Sequence, residues 1–168
     1  MKIEIKPFCM EYAAELSKAL NNKKILDNLR DGLPYPYTVK DAEDYISFIL
    51  DSDKNSTYVF AVCADNKVIG TVGAFRGSNI HFRTAELGYY IAESYWGKGI
   101  MTEAVAHICN YIFENTDIIR IYAEPFSYNI GSCKILEKNG FICEGILRKN
   151  AVKNGKVIDM KMYSKVKG

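Results

Sequence analysis

The run Ala85-Glu86-Leu87-Gly88-Tyr89-Tyr90-Ile91 leads within a few residues into Trp96-Gly97-Lys98-Gly99-Ile100-Met101-Thr102-Glu103-Ala104. This succession constrains the fold more than any other part of the chain. The first segment carries the aromatic and aliphatic residues of a strand, and the last opens an apolar-periodic helix. A strand, a glycine-rich turn and a helix start together expose uncapped backbone N–H groups at the positive end of a helix dipole. Such a place binds phosphate through the backbone alone. A Cβ at Gly97 or Gly99 would hold the anion away from those amides. The sequence thereby proposes a site for a phosphate-bearing cofactor near its middle.

Two familiar phosphate loops do not fit. A P-loop needs a glycine five residues before the Gly-Lys pair and Ser or Thr after the lysine. Here Ala92 and Gly99 stand at those places. A dinucleotide fingerprint needs a third glycine where the chain has Thr102 and an early place in a βαβ unit.

A second motif lies downstream, Asn129-Ile130-Gly131-Ser132-Cys133-Lys134-Ile135-Leu136-Glu137-Lys138-Asn139-Gly140-Phe141. With Glu86-Leu87-Gly88-Tyr89 and Trp96-Gly97-Lys98-Gly99 it resembles the GNAT superfamily of acyl-CoA N-acyltransferases. The nearest branch is the RimJ/RimL type, whose best-known members acetylate protein N-terminal amines. Leu33-Pro34-Tyr35-Pro36-Tyr37, Glu144-Gly145-Ile146-Leu147-Arg148, Lys153-Asn154-Gly155-Lys156 and Asp159-Met160-Lys161-Met162-Tyr163 resemble that branch too. The resemblance runs from Ile3 to Ser164.

The resemblance implies roles for named residues. The backbone of Trp96, Gly97, Lys98, Gly99, Ile100, Met101 and Thr102 would hold the pyrophosphate of acetyl-CoA. The family pattern there is Gln or Arg, two residues, Gly, one residue, then Gly or Ala. Trp96 takes the first position, Gly99 fits, and Met101 replaces the small residue. Asn129 would bond the pantetheine arm, and its place before a helix also makes it an N-cap. Ser132, one turn on, would sit near the thioester sulfur and donate to the leaving thiolate; otherwise it is a surface-facing helix serine. The tyrosine that many relatives carry seven residues after this asparagine is Leu136 here. Ile91 N–H would polarise the thioester carbonyl. Glu86 matches the strand glutamate that acts as base; a carboxylate in a sheet beside a cleft can take that role, and a structural carboxylate is the alternative. Lys98 is either a further charge on the phosphate or a solvated lysine.

Other candidates follow from position alone. His81 precedes the strand that leads to the cleft, and His107 falls on the helix side away from the core. Tyr35, Tyr37, Phe82 and Tyr89 offer an aromatic acceptor pocket or simply core, and Asp159 in the last strand offers a charge to a cationic amine.

The chain's 168 residues suit a single domain, residues 1–168, with a substantial core. Net charge is only +2, from 22 basic and 20 acidic residues, so a nucleic-acid footprint is not indicated. No apolar run approaches the ~20 residues of a membrane span, and Met1 to Lys6 lacks the apolar core of a signal peptide. The odd, scattered set Cys9, Cys63, Cys109, Cys133 and Cys143 has no CxxC pair. It argues for reduced thiols in a cytoplasm and against a metal site.

Periodicity predicts an α/β order with a mixed, mostly antiparallel sheet flanked by helices, the order of the GNAT fold. Strands are expected over Lys2–Lys6, Tyr58–Ala64, Val68–Phe75, Phe82–Ile91, Ile118–Glu124, Phe141–Lys149 and Lys156–Ser164. Helices are expected over Met10–Asn21, Lys24–Leu29, Thr38–Leu50, from Gly99, and over Asn129–Asn139 with Gly140 as stop. In the third helix Val39, Ala42, Ile46 and Ile49 share one face. Asp65-Asn66 and Asn154-Gly155 are the expected hairpin turns.

The expected function is a cytoplasmic acetyl-CoA-dependent N-acetyltransferase, a monomer or homodimer with no metal, nucleic-acid or membrane partner. The acceptor is an amine: a protein N-terminus, an amino acid, a polyamine or an aminated antibiotic. No acyl-cysteine intermediate is expected, because Cys133 has no neighbouring histidine in its motif. The rival is a non-catalytic acyl-CoA-binding protein of the same fold, and a longer acyl group is also open.

Overall fold

Residues of β-strand period become one sheet with a separate core on each face. The computed structural model describes residues 1–168. It runs β1 (Ile3–Pro7), α1 (Ala13–Leu20), α2 (Lys23–Leu26), α3 (Val39–Asp51), β2 (Thr57–Ala64), β3 (Lys67–Arg76) and β4 (Thr84–Ile91). It continues α4 (Ile100–Asn115), β5 (Arg120–Ala123), α5 (Ile130–Lys138), β6 (Ile142–Lys153) and β7 (Lys156–Val166). The strands form a seven-stranded sheet in the order β1-β2-β3-β4-β5-β7-β6.

Strand β2 shows how the layers arise. Tyr58, Val62 and Ala64 join the core built with Ala104, Val105, Ile108 and Ile112 of α4 and Leu136 of α5. Val59, Ala61 and Cys63 point the other way, into the core made with Leu16 and Leu20 of α1 and Ala42 and Ile46 of α3. Both faces are therefore covered, which is why β2 reads as an almost unbroken apolar run. Each fully buried aliphatic side chain contributes on the order of 1.5–3 kcal/mol.

Local signals place the turns. Asp65 and Asn66 both have positive φ, as do Asn154 and Gly155, the geometry of two-residue hairpin loops whose twist matches the strands. Thr38 Oγ1 accepts the Asp41 N–H at 3.2 Å, and Asp41 Oδ2 accepts the Thr38 N–H at 2.8 Å. That reciprocal capping box starts α3.

Several boundaries differ from expectation. The first helix begins as a 3-10 turn over Met10–Tyr12, and only Ala13–Leu20 is α. The second covers Lys23–Leu26, where Asn22 caps it by accepting the Lys24 N–H. Val39, the first residue of α3, is 45% exposed rather than part of its buried face. Strand β4 starts at Thr84, since Asn79–His81 form a 3-10 turn closed by the Gly77 N–H to the Thr84 carbonyl. Strand β5 keeps only four residues of the seven expected.

The shortness of β5 builds the site. Strands β4 and β5 are the one parallel pair, joined through the α4 crossover. They pair only over Thr84–Glu86 against Arg120–Tyr122. Beyond, Pro125 brings no N–H to a ladder, and its carbonyl accepts from Lys161 instead. From Leu87 to Ile91 the outer edge of β4 therefore has no strand beside it, and the two strands diverge.

Candidate active site

The divergence opens a cavity of about 1010 Å³. Its lining includes Glu86 to Ile91 from β4, Trp96, Gly97 and Gly99 to Thr102 from the turn, and Ala123 to Phe126 and Tyr128 to Ser132 from β5 to α5. The structure thus brings the sequence-predicted residues Glu86, Ile91, Asn129 and Ser132 to one opening with the glycine turn.

At the turn, Gly97 and Gly99 adopt φ of +73° and +77°, values that L side chains rarely take. Gly99 is the N-cap of α4 and supplies no side-chain acceptor. The first helical bond is from Glu103 N–H to the Gly99 carbonyl at 3.2 Å. The N–H groups of Ile100, Met101 and Thr102 are accordingly the orphan donors at the positive end of a 16-residue helix. Ile100 and Met101 send their side chains into the core, so Met101 does not crowd the turn and offers only its amide. Trp96 Nε1 donates to the Ile91 carbonyl at 2.9 Å, which ties the turn to the end of β4. Lys98 does not line the cavity; its ammonium lies 5.3 Å from the Tyr95 ring centroid. This cradle of three free amides, with open space where a Cβ at Gly97 or Gly99 would stand, fits a pyrophosphate.

The direction of the Ile91 amide follows from register. Ala92 N–H donates to the Ile69 carbonyl at 2.8 Å, and Ile91 stands opposite Gly70. Alternation in an antiparallel pair then turns the Ile91 N–H and carbonyl away from β3, toward the opening. The Trp96 bond to that carbonyl agrees. Gly70 allows the tight pairing here, since a Cβ would meet the Tyr90 carbonyl oxygen at 2.3 Å.

Asn129 caps α5: its Oδ1 accepts the Ser132 N–H at 3.2 Å, and its Nδ2 has no partner within the chain. Ser132 is half-buried, not a surface serine, and its Oγ lies 2.7 Å from the Tyr89 hydroxyl. Leu136 is fully buried in the core and does not line the cavity. Asn139 secures the arrangement, donating to the Thr102 carbonyl at 3.1 Å and pinning the end of α5 to the start of α4.

On the opposite side of β4, Glu86 Oε1 accepts from Arg30 at 2.9 Å, and Arg30 also reaches Glu124 Oε2 at 3.2 Å. Glu86 and Glu124 are largely shielded, whereas Arg30 is 61% exposed. Tyr122, opposite Glu86 in register, has its phenol pushed up to about 12 by burial and then by the Glu86 charge. Tyr37, Tyr45 and Tyr90 complete the wall. Burial raises the Tyr37 phenol to about 12 and the Tyr90 phenol well above its ordinary value, so these hydroxyls stay protonated.

Arg30, Glu124 and Tyr122 were not legible in the sequence, where nothing ties residue 30 to residues 86 and 124. Conversely, Tyr35 and Phe82 are exposed and line no part of the cavity. His81 and His107 are exposed, the latter packed edge-on against Phe60. Asp159 accepts the Lys149 N–H at 2.8 Å, away from the cavity. Tyr37 and Tyr89 alone of the aromatic candidates reach it. All five cysteines are free, and no helix is long and apolar enough to cross a membrane.

A cleft between parallel strands that diverge, backed by a glycine-rich helix start, is a site shaped for a phosphate-bearing ligand. Residues 2–142 match the model of the acetyltransferase (GNAT) domain, and the chain belongs to that family. It is 41% identical over 105 residues to the probable N-acetyltransferase YjcK of Bacillus subtilis, covering 61% of this chain. The match spans 58% of that relative's length. The uncharacterized N-acetyltransferase p20 of Bacillus licheniformis is 34% identical over 79% of this chain and 76% of its own. The fold matches the ribosomal L7/L12 alpha-N-protein acetyltransferase RimL, solved with coenzyme A, at a TM-score of 0.88 and 21% identity. That superposition covers 99% of this chain and 95% of RimL.

Proposed function

We propose that this chain is an acetyl-CoA-dependent N-acetyltransferase, one domain over residues 1–168, whose acceptor is a primary amine. The observation that carries the reading is the convergence, in one cavity, of three orphan amides at α4, an outward Ile91 N–H, a hydroxyl at Ser132 and a carboxylate at Glu86. The amides of Ile100, Met101 and Thr102 take the pyrophosphate, and Asn129 Nδ2 serves the pantetheine arm. Ile91 N–H lowers the energy of the oxyanion as it forms.

The amine nitrogen attacks the thioester carbonyl directly. A C–N bond forms, the C–S bond breaks with its electron pair going to sulfur, and the surplus proton on nitrogen passes to Glu86, directly or through water. Ser132 donates a hydrogen bond to the departing thiolate, which solvent then protonates. No covalent enzyme intermediate is involved: Cys133, in α5, is buried in the core. Glu86 and Glu124, with Arg30 between them, leave one net negative charge in the cavity wall, which favours a cationic or N-terminal amine; RimL, of the same fold, acts on a protein N-terminus. The five free thiols suit a reducing, cytoplasmic setting.

The test is acetyl-CoA with a panel of peptides bearing free N-termini, amino acids and polyamines, read by thiol release and product mass. An acetylated amine is expected. Acetyl-CoA binding by calorimetry without thiol release from any amine would sink catalysis and leave an acyl-CoA-binding protein, a reading that the buried Leu136 keeps open.

Asn129→Ala separates the two jobs of that residue. It should raise the Michaelis constant for acetyl-CoA more than that for the acceptor, and lower stability by about 1 kcal/mol through the lost cap. Melting temperature reduced with kinetics intact would confine Asn129 to capping.

A further inference from the structure

We infer that Tyr89 is a positioning residue that aims the Ser132 hydroxyl at the thioester sulfur. The inference rests on the proposed role of Ser132 as donor to the leaving group. A serine hydroxyl near a helix start has a competing habit: it turns back to bond a carbonyl three or four residues earlier. In that rotamer its proton is spent on the backbone. Something outside the helix must hold it if it is to serve the cleft.

Tyr89 supplies that hold. It sits on β4, two residues before Ile91 and on the same face, with its ring packed against the core shared by α4 and α5. Its hydroxyl lies 2.7 Å from Ser132 Oγ and 3.2 Å from the Ser132 carbonyl oxygen. The shorter separation is the ordinary length of an O–H···O bond, across which either hydroxyl can donate; in the inferred arrangement the phenol donates to Oγ. A serine oxygen that accepts from Tyr89 keeps its own proton for another acceptor. The cavity lined by both residues is the place where that acceptor arrives.

The environment keeps the phenol proton in place. Burial pushes the Tyr89 phenol well above its ordinary value, so it stays protonated and able to donate across the working range. No proton leaves Tyr89 during the reaction; the phenol orients, and Ser132 alone meets the sulfur. The arrangement gives a physical account of how the site manages with Leu136, which carries no hydroxyl at the helix position where many relatives have a tyrosine.

The test is a double-mutant cycle on Tyr89→Phe and Ser132→Ala, with melting temperature and acetyl-CoA affinity measured beside the kinetics. Each single variant should lower kcat by about tenfold, with the KM for acetyl-CoA within about twofold of wild type. The double variant should be no slower than Ser132→Ala alone, because the phenol acts only through the serine. Ser132→Thr, which keeps the hydroxyl, should restore most of the turnover, and should lose that rescue when Tyr89→Phe is added. Multiplicative losses in the double variant would overturn the inference, as would wild-type turnover in Tyr89→Phe beside a slow Ser132→Ala. Wild-type turnover in Ser132→Ala would instead remove Ser132 from the chemistry, and the inference with it.

Discussion

Glu86→Gln is expected to slow turnover at neutral pH by about 10²–10⁴-fold, the usual worth of general-base assistance, with acetyl-CoA affinity near wild type. Glutamine keeps the shape of the side chain and still accepts the 2.9 Å bond from Arg30, but it cannot take a proton from the amine. The structural cost should be small. Arg30 is 61% exposed and retains Glu124 as its second partner, and an exposed ion pair stabilises little. A melting temperature close to wild type beside a large rate loss is therefore the expected signature. The defect should also shrink as pH rises, because more of the acceptor is then neutral without help and solvent base takes the proton released on attack. Rate measured from pH 6 to 10 on one acceptor gives both results. Full turnover of the variant at pH 7 would remove Glu86 from the mechanism. Attention would then move to Glu124, which shares Arg30 and the cavity, or to an acceptor such as a protein N-terminus that titrates near ~7.7–8.0 unaided.

Much of the fold is written in local chemistry, and those parts were legible. Thr38, Asp65-Asn66, Asn129, Gly140 and Asn154-Gly155 each act on backbone within four residues of themselves, so spacing alone announces them. The glycine turn belongs to the same class. What the sequence hid depends on contact at a distance. Phe82 has the character of a strand residue, yet β4 starts only at Thr84, because Asn79–His81 form a 3-10 turn that brings Gly77 back onto Thr84. β5 was overestimated because Ile118 is buried ahead of the strand and Pro125 ends it early. The Arg30, Glu86 and Glu124 trio joins three segments that share no pattern, and only the folded sheet edge brings them within bonding distance. Tyr89 was legible as an aromatic near the cleft; its bond to Ser132 was not, since it depends on how α5 packs over β4.

Gly99→Val should weaken acetyl-CoA binding by at least about tenfold, or ~1.4 kcal/mol, and the structure changes the reason for expecting it. A Cβ built at Gly99 meets nothing within 4 Å in the protein, so the variant suffers no internal clash. Its burden is conformational: φ is +77° there, and a β-branched residue held in the left-handed region costs on the order of 1–3 kcal/mol. The chain has two ways to respond, and both harm the cradle. If the turn keeps its shape, the valine methyls fill the open space before the Ile100, Met101 and Thr102 amides, where an anion must approach. If φ relaxes to negative values, the N-cap of α4 rotates and the amides no longer converge. Gly145→Ala is a suitable comparison, because that glycine also has open space around its Cβ but no positive φ, and it lies outside both the turn and the cavity. Calorimetric titration of both variants with acetyl-CoA, with melting curves to show that each is folded, reads the difference directly. A folded Gly99→Val protein that binds acetyl-CoA as tightly as wild type would mean that the phosphates are held by side chains elsewhere and not by the backbone of this turn.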